Sequence, residues 1–230
     1  CWATKGFELG TRQLPHQVAA DVLGEDRPMA VLSGPTFAKE VGEGLLTAMT
    51  IAANDAGFAD DLAVALSDDK FRAYTSGDII GVEVGAAVKN VLAIGAGMSD
   101  GLGFGANARV ALINRGLVEM TRLGVALGAR KETFMGLAGM GDLVLTCTDN
   151  LSRNRRMGLA LASGKSIAEA QEEIQQVVEG VTAAEAVHEV AEHLGIEMPI
   201  CYQVYRIIHD GASPREAVGA LMGRDLKSDH

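Results

Sequence analysis

Cysteine is scarce and unpatterned in this 230-residue chain. Cys1, Cys147 and Cys201 are an odd number at unrelated spacings, which excludes a disulfide framework and a cysteine-based zinc site and makes a reducing cytoplasm the expected compartment. The histidines form no ligand pattern either: His188 and His193 stand five apart rather than four and share a helix face poorly, so no metal is expected. Basic charge is in deficit, with 20 Lys+Arg against 30 Asp+Glu and a net charge of −10. That argues against broad binding of nucleic acid or anionic membrane, and a small anionic substrate would need a local basic pocket. There is no repeat, no low-complexity tract, no signal-peptide pattern and no window of about 18 apolar residues, so no membrane insertion is expected. What remains is a chain with 48% hydrophobic residues and 28 glycines, long enough for one large or two modest domains around a real core.

Strands and helices alternate up to about residue 76. The pattern predicts a helix over 17–23 stopped by Gly24, an apolar strand over 30–35 and a helix from Thr36 with Thr36 as its N-cap. A buried strand over 48–53, an amphipathic helix over 57–66 and a strand over 71–75 follow. Cys1-Trp2-Ala3 reads as the tail of a buried strand. From Asp78 onward nearly every stretch has a helical period, with helices expected over 79–95, 106–127, 131–137, 153–162, 167–174, 183–194, 200–208 and 214–221. Short links between them point to a compact bundle. The expected architecture is an α/β layer over 1–77 followed by an all-helical unit over 78–230.

In the first long helix, Lys89 has Gly85, Ala86, Ala93 and Ala96 as its helical neighbours, and Leu92 is the one large residue. A lysine in water has no need of small neighbours, whereas one aimed into a confined space beside a backbone or a ligand does. Ionised amines are costly to bury unpaired, so Lys89 is a candidate functional group. A lysine at the helix edge that snorkels to water is the competing reading.

Four further motifs lie where ligands bind. In Ser152-Arg153-Asn154-Arg155-Arg156, Ser152 is a candidate N-cap and the arginines oppose the helix dipole. A docked anion, phosphate best of all, would remove that conflict; a basic surface face is the alternative. In Gly139-Met140-Gly141-Asp142, a sharp bend leads into a buried Leu143-Val144-Leu145 segment. Asp142 would hold a hydroxyl or pair with a lysine, or simply close an Asx-turn. Ser33-Gly34-Pro35-Thr36 and Lys5-Gly6 both end apolar strands. Strand ends are the edge at which α/β proteins take ligands, against ordinary turn chemistry. Gly101-Leu102-Gly103-Phe104-Gly105-Ala106 matches a dinucleotide fingerprint but follows a helix, so it reads as a helix-to-helix turn.

These motifs agree with one family. WATKG, SGPTFAKE, GAAVKNVLAIGAGMSDGLGFGANA, GLAGMGDLVLTCTDNLSRNRR and QVVEGVTAAEAV resemble bacterial NAD(P)-dependent glycerol-3-phosphate dehydrogenase in ungapped blocks from Trp2 to Val187, and Met198-Pro199-Ile200 is similar as well. The resemblance implies a Rossmann-like cofactor domain, represented here by 1–77, and a helical substrate domain of the 6-phosphogluconate dehydrogenase C-terminal type over 78–230. It implies NAD or NADP as cofactor and interconversion of dihydroxyacetone phosphate and sn-glycerol 3-phosphate for glycerophospholipid synthesis. It places the proton-transferring lysine at Lys89, substrate contacts at Lys5, Gly34, Thr36, Lys89, Asp142, Ser152, Arg153 and Asn154, and cofactor contacts at Lys5, Ala38, Arg153, Val177 and Glu179.

The family's GxGxxG fingerprint and first βαβ unit do not precede Trp2. The chain is therefore expected to be N-terminally truncated, unable to hold the cofactor's pyrophosphate and inactive by itself. A sibling lysine-dependent hydroxyacid dehydrogenase, which would take a carboxylate in place of the phosphate, is one alternative. A catalytically silent helical dimerisation fragment is another. The Ala/Gly-rich helices are compatible with a homodimer.

Overall fold

The backbone starts as the tail of a strand, as the apolar opening implies. In this computed structural model, which describes residues 1–222, Trp2 N–H donates to Ala30 O at 3.0 Å and Leu32 N–H donates to Trp2 O at 2.8 Å, a parallel bridge to Val31. Helix α1 (Pro15–Leu23) opens on a proline, whose missing N–H costs nothing in the first turn. Strand β1 (Ala30–Ser33) pairs antiparallel with β2 (Thr47–Ala53), and β2 pairs parallel with β3 (Phe71–Ser76). Short α2 (Ala38–Gly42) joins β1 to β2. Helix α3 (Ala56–Leu66), N-capped by Asp55, joins β2 to β3. The helix expected from Thr36 begins at Ala38 instead. The Thr36 hydroxyl donates back to Gly34 O at 3.1 Å, so it caps nothing, and Phe37 takes the cap position.

The remainder is helical: α4 (Ile79–Gly101), α5 (Gly105–Ala126), α6 (Asp142–Thr148), α7 (Arg153–Ala162), α8 (Ile167–Ile174), α9 (Glu179–Leu194), α10 (Pro199–His209) and α11 (Pro214–Met222). The GLGFGA run is the turn between α4 and α5, with Gly103 and Gly105 at positive φ of 78° and 83°. The helix expected over 131–137 is instead a 3-10 turn, Lys131–Met135, followed by a π turn, Leu137–Gly141. Gly139 lies too close to the Phe134 backbone for a Cβ, a contact that regular α-helix would not permit. Leu143-Val144-Leu145 belongs to α6, with Val144 exposed. Helix α9 starts four residues earlier than expected, with Glu179 in the first turn, where the dipole favours an acid.

Helix α4 is the axis of the fold. Its N-terminal half packs on the sheet through Val31, Ala52, Ile79, Val82 and Ala138, with Trp2 at the rim. Its remainder lies in the main core with α5, α6, α7, α9 and α10. The expectation that no apolar window is long enough to span a membrane does not hold. By length and composition α4 is apolar enough to cross a membrane, with mean hydropathy 1.6 over its richest window, but 94% of that window is buried inside the protein. The same apolarity is what the centre of a bundle requires.

Helix α10 is anchored by a buried acid. Glu119 of α5 accepts from Ile200 N at 2.7 Å and Cys201 N at 3.1 Å, satisfying two free donors of the first turn. Burial pushes its carboxyl up to about 7 from 4.5, against the lowering effect of those two N–H groups. Between these values the folded protein keeps a proton that the unfolded chain has released, so stability falls as pH rises across that window. Chemical denaturation from about pH 5 to about pH 7 is expected to show that decline, and Glu119→Gln is expected to flatten it. An equally steep decline in the variant would assign it to another group.

Candidate active site

Lys89 is 6% exposed and Asp142 2%. The amine meets Asp142 Oδ2 at 2.5 Å as an ion pair without hydrogen-bond alignment, and donates to Thr146 Oγ1 at 3.3 Å. Thr146 in turn donates to Asp142 O at 2.5 Å, one helical turn back on α6. Space for the amine comes from the small neighbours read in the sequence. At Gly85 a Cβ would sit 2.8 Å from Ala138 O, so the π turn that carries Gly139 to Gly141 can close on α4. Leu92, the one large neighbour, fills the notch at Gly116 on the other side.

Burial lowers the proton affinity of Lys89. Asp142 opposes that, Lys5 lowers it further and Glu179 raises it. Lys5, Lys89, Asp142 and Glu179 therefore share one electrostatic neighbourhood. Cys147, next to Thr146, is pushed up to about 12 by burial and stays an inert thiol.

The α7 N-terminus reaches this cluster because two glycines let the helices touch. A Cβ on Gly97 would overlap Arg155 O, and one on Gly158 would overlap Ile94 O. Ser152 is the N-cap read from the sequence, its Oγ accepting from Arg155 N at 3.2 Å. The arginines divide into separate roles. Arg155 is buried and donates to Asp100 Oδ2 at 2.5 Å, to Cys147 O at 3.1 Å and to Asn150. Arg153 is half-buried and makes no hydrogen bond or ion pair among the described residues. Asn154 is largely spent on structure: its Oδ1 accepts from Gly180 N at 2.8 Å and its Nδ2 donates to Asn90 Oδ1 at 2.9 Å, leaving one N–H.

Asn90 and Thr146 join the Lys89 cluster, and the motifs do not reveal them. Asn90 also donates to Glu179 Oε2 at 3.2 Å, so it joins α4, α7 and α9 directly beside Lys89. A polar side chain next to the lysine inside an apolar helix is the one sequence signal for Asn90, and for Thr146 it is the one-turn spacing from Asp142.

The other expected contacts are not bonded to this cluster among the described residues. Gly34 (φ 152°), Thr36 and Ala38 line the turn leaving β1, and no hydrogen bond or ion pair among the described residues joins them to Lys89. That turn holds an unspent polar group, the buried Ser33 Oγ, which has no partner among the described residues. Val177 is 74% exposed in the link before α9. No group of three or more metal-binding side chains occurs among the described residues.

Comparison with known proteins identifies the family. The family pattern described as the NAD-dependent glycerol-3-phosphate dehydrogenase C-terminus matches residues 78–219, and the one described as its N-terminus matches residues 1–59. The chain is 58% identical to a glycerol-3-phosphate dehydrogenase (NAD(P)+) of Aeromonas hydrophila over 99% of its length and 69% of that relative. It is 59% identical to the Shewanella sediminis protein of the same name, covering 68% of it. The solved structure of a glycerol-3-phosphate dehydrogenase from Coxiella burnetii superposes with a TM-score of 0.94 at 51% identity, over 97% of this chain and 68% of that one. A yeast glycerol-3-phosphate dehydrogenase gives 0.84 at 29% identity, over 94% of this chain and 66% of that one. Matched along nearly its whole length in sequence and in fold, the chain belongs to the NAD-dependent glycerol-3-phosphate dehydrogenase family.

Proposed function

We infer that this chain interconverts dihydroxyacetone phosphate and sn-glycerol 3-phosphate with NAD(P)H, and that Lys89 is its proton donor. The carrying observation is a buried amine with a donor to spare. An ammonium has three N–H groups. Thr146 takes one, Asp142 faces a second, and the third is left for a substrate oxygen. A bound nicotinamide supplies the hydride that goes to the carbonyl carbon. Lys89 gives its proton to the carbonyl oxygen as that oxygen becomes an alkoxide, and regains one from solvent afterwards. Asp142 keeps the amine charged against burial. Arg153, which has no partner among the described residues, and the remaining Asn154 N–H at the α7 N-terminus hold the phosphate, which sets the carbonyl beside Lys89.

The residues present fit the nicotinamide end of the cofactor. Lys5 and Glu179 lie in the electrostatic neighbourhood of Lys89, Val177 exposes apolar surface next to Glu179, and Ser33 Oγ, next to Gly34, has no partner among the described residues. The fingerprint-like GLGFGA run is the turn between α4 and α5 and follows no strand, so turnover by this chain alone is not expected, and observing it would overturn that part of the reading. The division into 1–77 and 78–230 belongs to the same proposal, supported by the switch to helix at Ile79. So does a homodimer, supported by exposed Val110, Val118 and Val125 along one face of α5. A cytoplasmic location is supported by the unpaired buried Cys147 and Cys201.

Ligand-dependent melting tests the assignment. At about 100 times its dissociation constant a ligand adds about 2.7 kcal/mol to stability. Dihydroxyacetone phosphate is expected to raise the Tm of the chain, and unphosphorylated dihydroxyacetone is not. A rise with a small hydroxy acid but not with the phosphorylated ketone would favour the sibling dehydrogenase. No rise with either would favour the silent bundle.

A further inference from the structure

Helix α4, which carries Lys89, also carries a buried acid six residues earlier. Glu83 is 1% exposed. Its partners all come from the sheet layer. Trp2 Nε1 donates to Oε1 at 3.0 Å, His16 N donates to the same oxygen at 3.1 Å, and His16 Nδ1 lies 2.6 Å from Oε2. Both carboxylate oxygens are therefore committed to two separate segments of the other layer. No lysine or arginine among the described residues pairs with Glu83, so a buried carboxylate is kept there by these donors alone, at a desolvation cost that an apolar residue would avoid.

The segment that Trp2 anchors carries Lys5 three residues later. Between them lie Ala3 and Thr4, both exposed, and Gly6 follows at φ 110°. Trp2 is held on its other side by the bridge to β1. Its indole is thus the last fixed point of this strand before Lys5, and that fixed point is tied to α4.

We propose that Glu83 is a positioning residue: it clamps the Trp2 strand and α1 to the catalytic helix and thereby holds Lys5 facing Lys89. The functional weight of the clamp rests on the reading of Lys89 as proton donor, but its existence can be tested without turnover. Lys89 is bonded to Asp142 and Thr146 of α6, and the charges that act on it besides Asp142 are Glu179 of α9 and Lys5 of the first strand, with the Cys147 thiol close by on α6. Of these, only Lys5 depends on the clamp, and Lys5 lowers the proton affinity of Lys89. Loss of the clamp should therefore move the titration of Lys89 to higher pH.

The test is a double-mutant cycle on this chain, with the Lys89 side chain titrated by NMR. Trp2 is the single tryptophan, so its fluorescence reports whether the indole has left its site. Glu83→Leu is expected to shift Trp2 emission to longer wavelength and the Lys89 titration upward. Lys5→Met should give the same upward titration shift with Trp2 emission unchanged. In the double variant Glu83→Leu should add nothing to the titration shift. Glu83→Gln keeps an acceptor for Trp2 Nε1 and His16 N, and should restore both signals. If Glu83→Leu fails to fold, Trp2→Phe removes the indole donor alone and should reproduce the upward shift. Additive shifts in the double variant, or an unmoved Lys89 titration once the clamp is broken, would overturn the proposal. Turnover that survives Lys89→Met, measured on this chain joined to the part of the Aeromonas hydrophila relative that it does not span, would overturn the proton-donor reading, while the emission and titration signals still decide whether the clamp exists.

Discussion

Lys89→Met is expected to cut kcat about a hundredfold or more, with KM for dihydroxyacetone phosphate nearly unchanged. The assay uses this chain joined to the part of the Aeromonas hydrophila relative that it does not span. Methionine fills the niche between Gly85 and Leu92 without a donor, so packing is kept and only the proton and the charge are lost. An unchanged kcat would remove Lys89 from the chemistry. The pH profile gives a second, independent signature. Ketone reduction needs the ammonium form, and burial holds Lys89 below its ordinary range. The rate of reduction should therefore fall on the alkaline side at a lower pH than for a free lysine. Asp142→Asn removes the charge that opposes burial and should move that fall to lower pH still. A shift to higher pH would contradict the role given to Asp142.

Arg153→Ala is expected to raise KM for the phosphorylated ketone about tenfold or more, since a charge-assisted contact contributes about 1.5–3 kcal/mol. Tm should stay where it is, because Arg153 makes no bond among the described residues that its removal could break. Arg153→Lys should recover part of the loss, keeping the charge without the planar fork. The neighbouring Arg155→Ala is the contrast. It takes from half-buried Asp100 one of the two arginines that share its Oδ2, Arg155 at 2.5 Å and Arg109 at 2.8 Å, leaves the Cys147 carbonyl without its donor, and should lower Tm. A KM that does not respond to Arg153→Ala would return these arginines to the surface-face reading.

Much of this molecule is legible in the order of residues alone, and the reason is local. The strand at 30–33, the helices at 153–162 and 167–174 and the Ser152 cap depend on side-chain periodicity and on hydrogen bonds a few residues apart. The small residues around Lys89 mark a niche in the same way, because helix geometry fixes which side chains are neighbours. The turn after Lys131 is not legible, because its shape is set by Gly139 meeting Phe134, a contact that periodicity does not encode. Thr36 has the composition of a cap but does not act as one, because its hydroxyl turns back to Gly34.

What periodicity cannot supply is the partner of a group more than one turn away. The amino-acid order by itself determined the α/β layer, the helical bundle, an amine set among small residues and a basic helix start. Only the folded chain decided that Arg155 is spent on Asp100 while Arg153 is not, that Asn90 and Thr146 join the Lys89 cluster, and that Glu83 ties Trp2 and His16 to α4. Each of those outcomes is a pairing across about 50 to 90 positions. Such pairings are settled when burial takes water away and every polar group left inside must find whatever donor or acceptor the packing brings near.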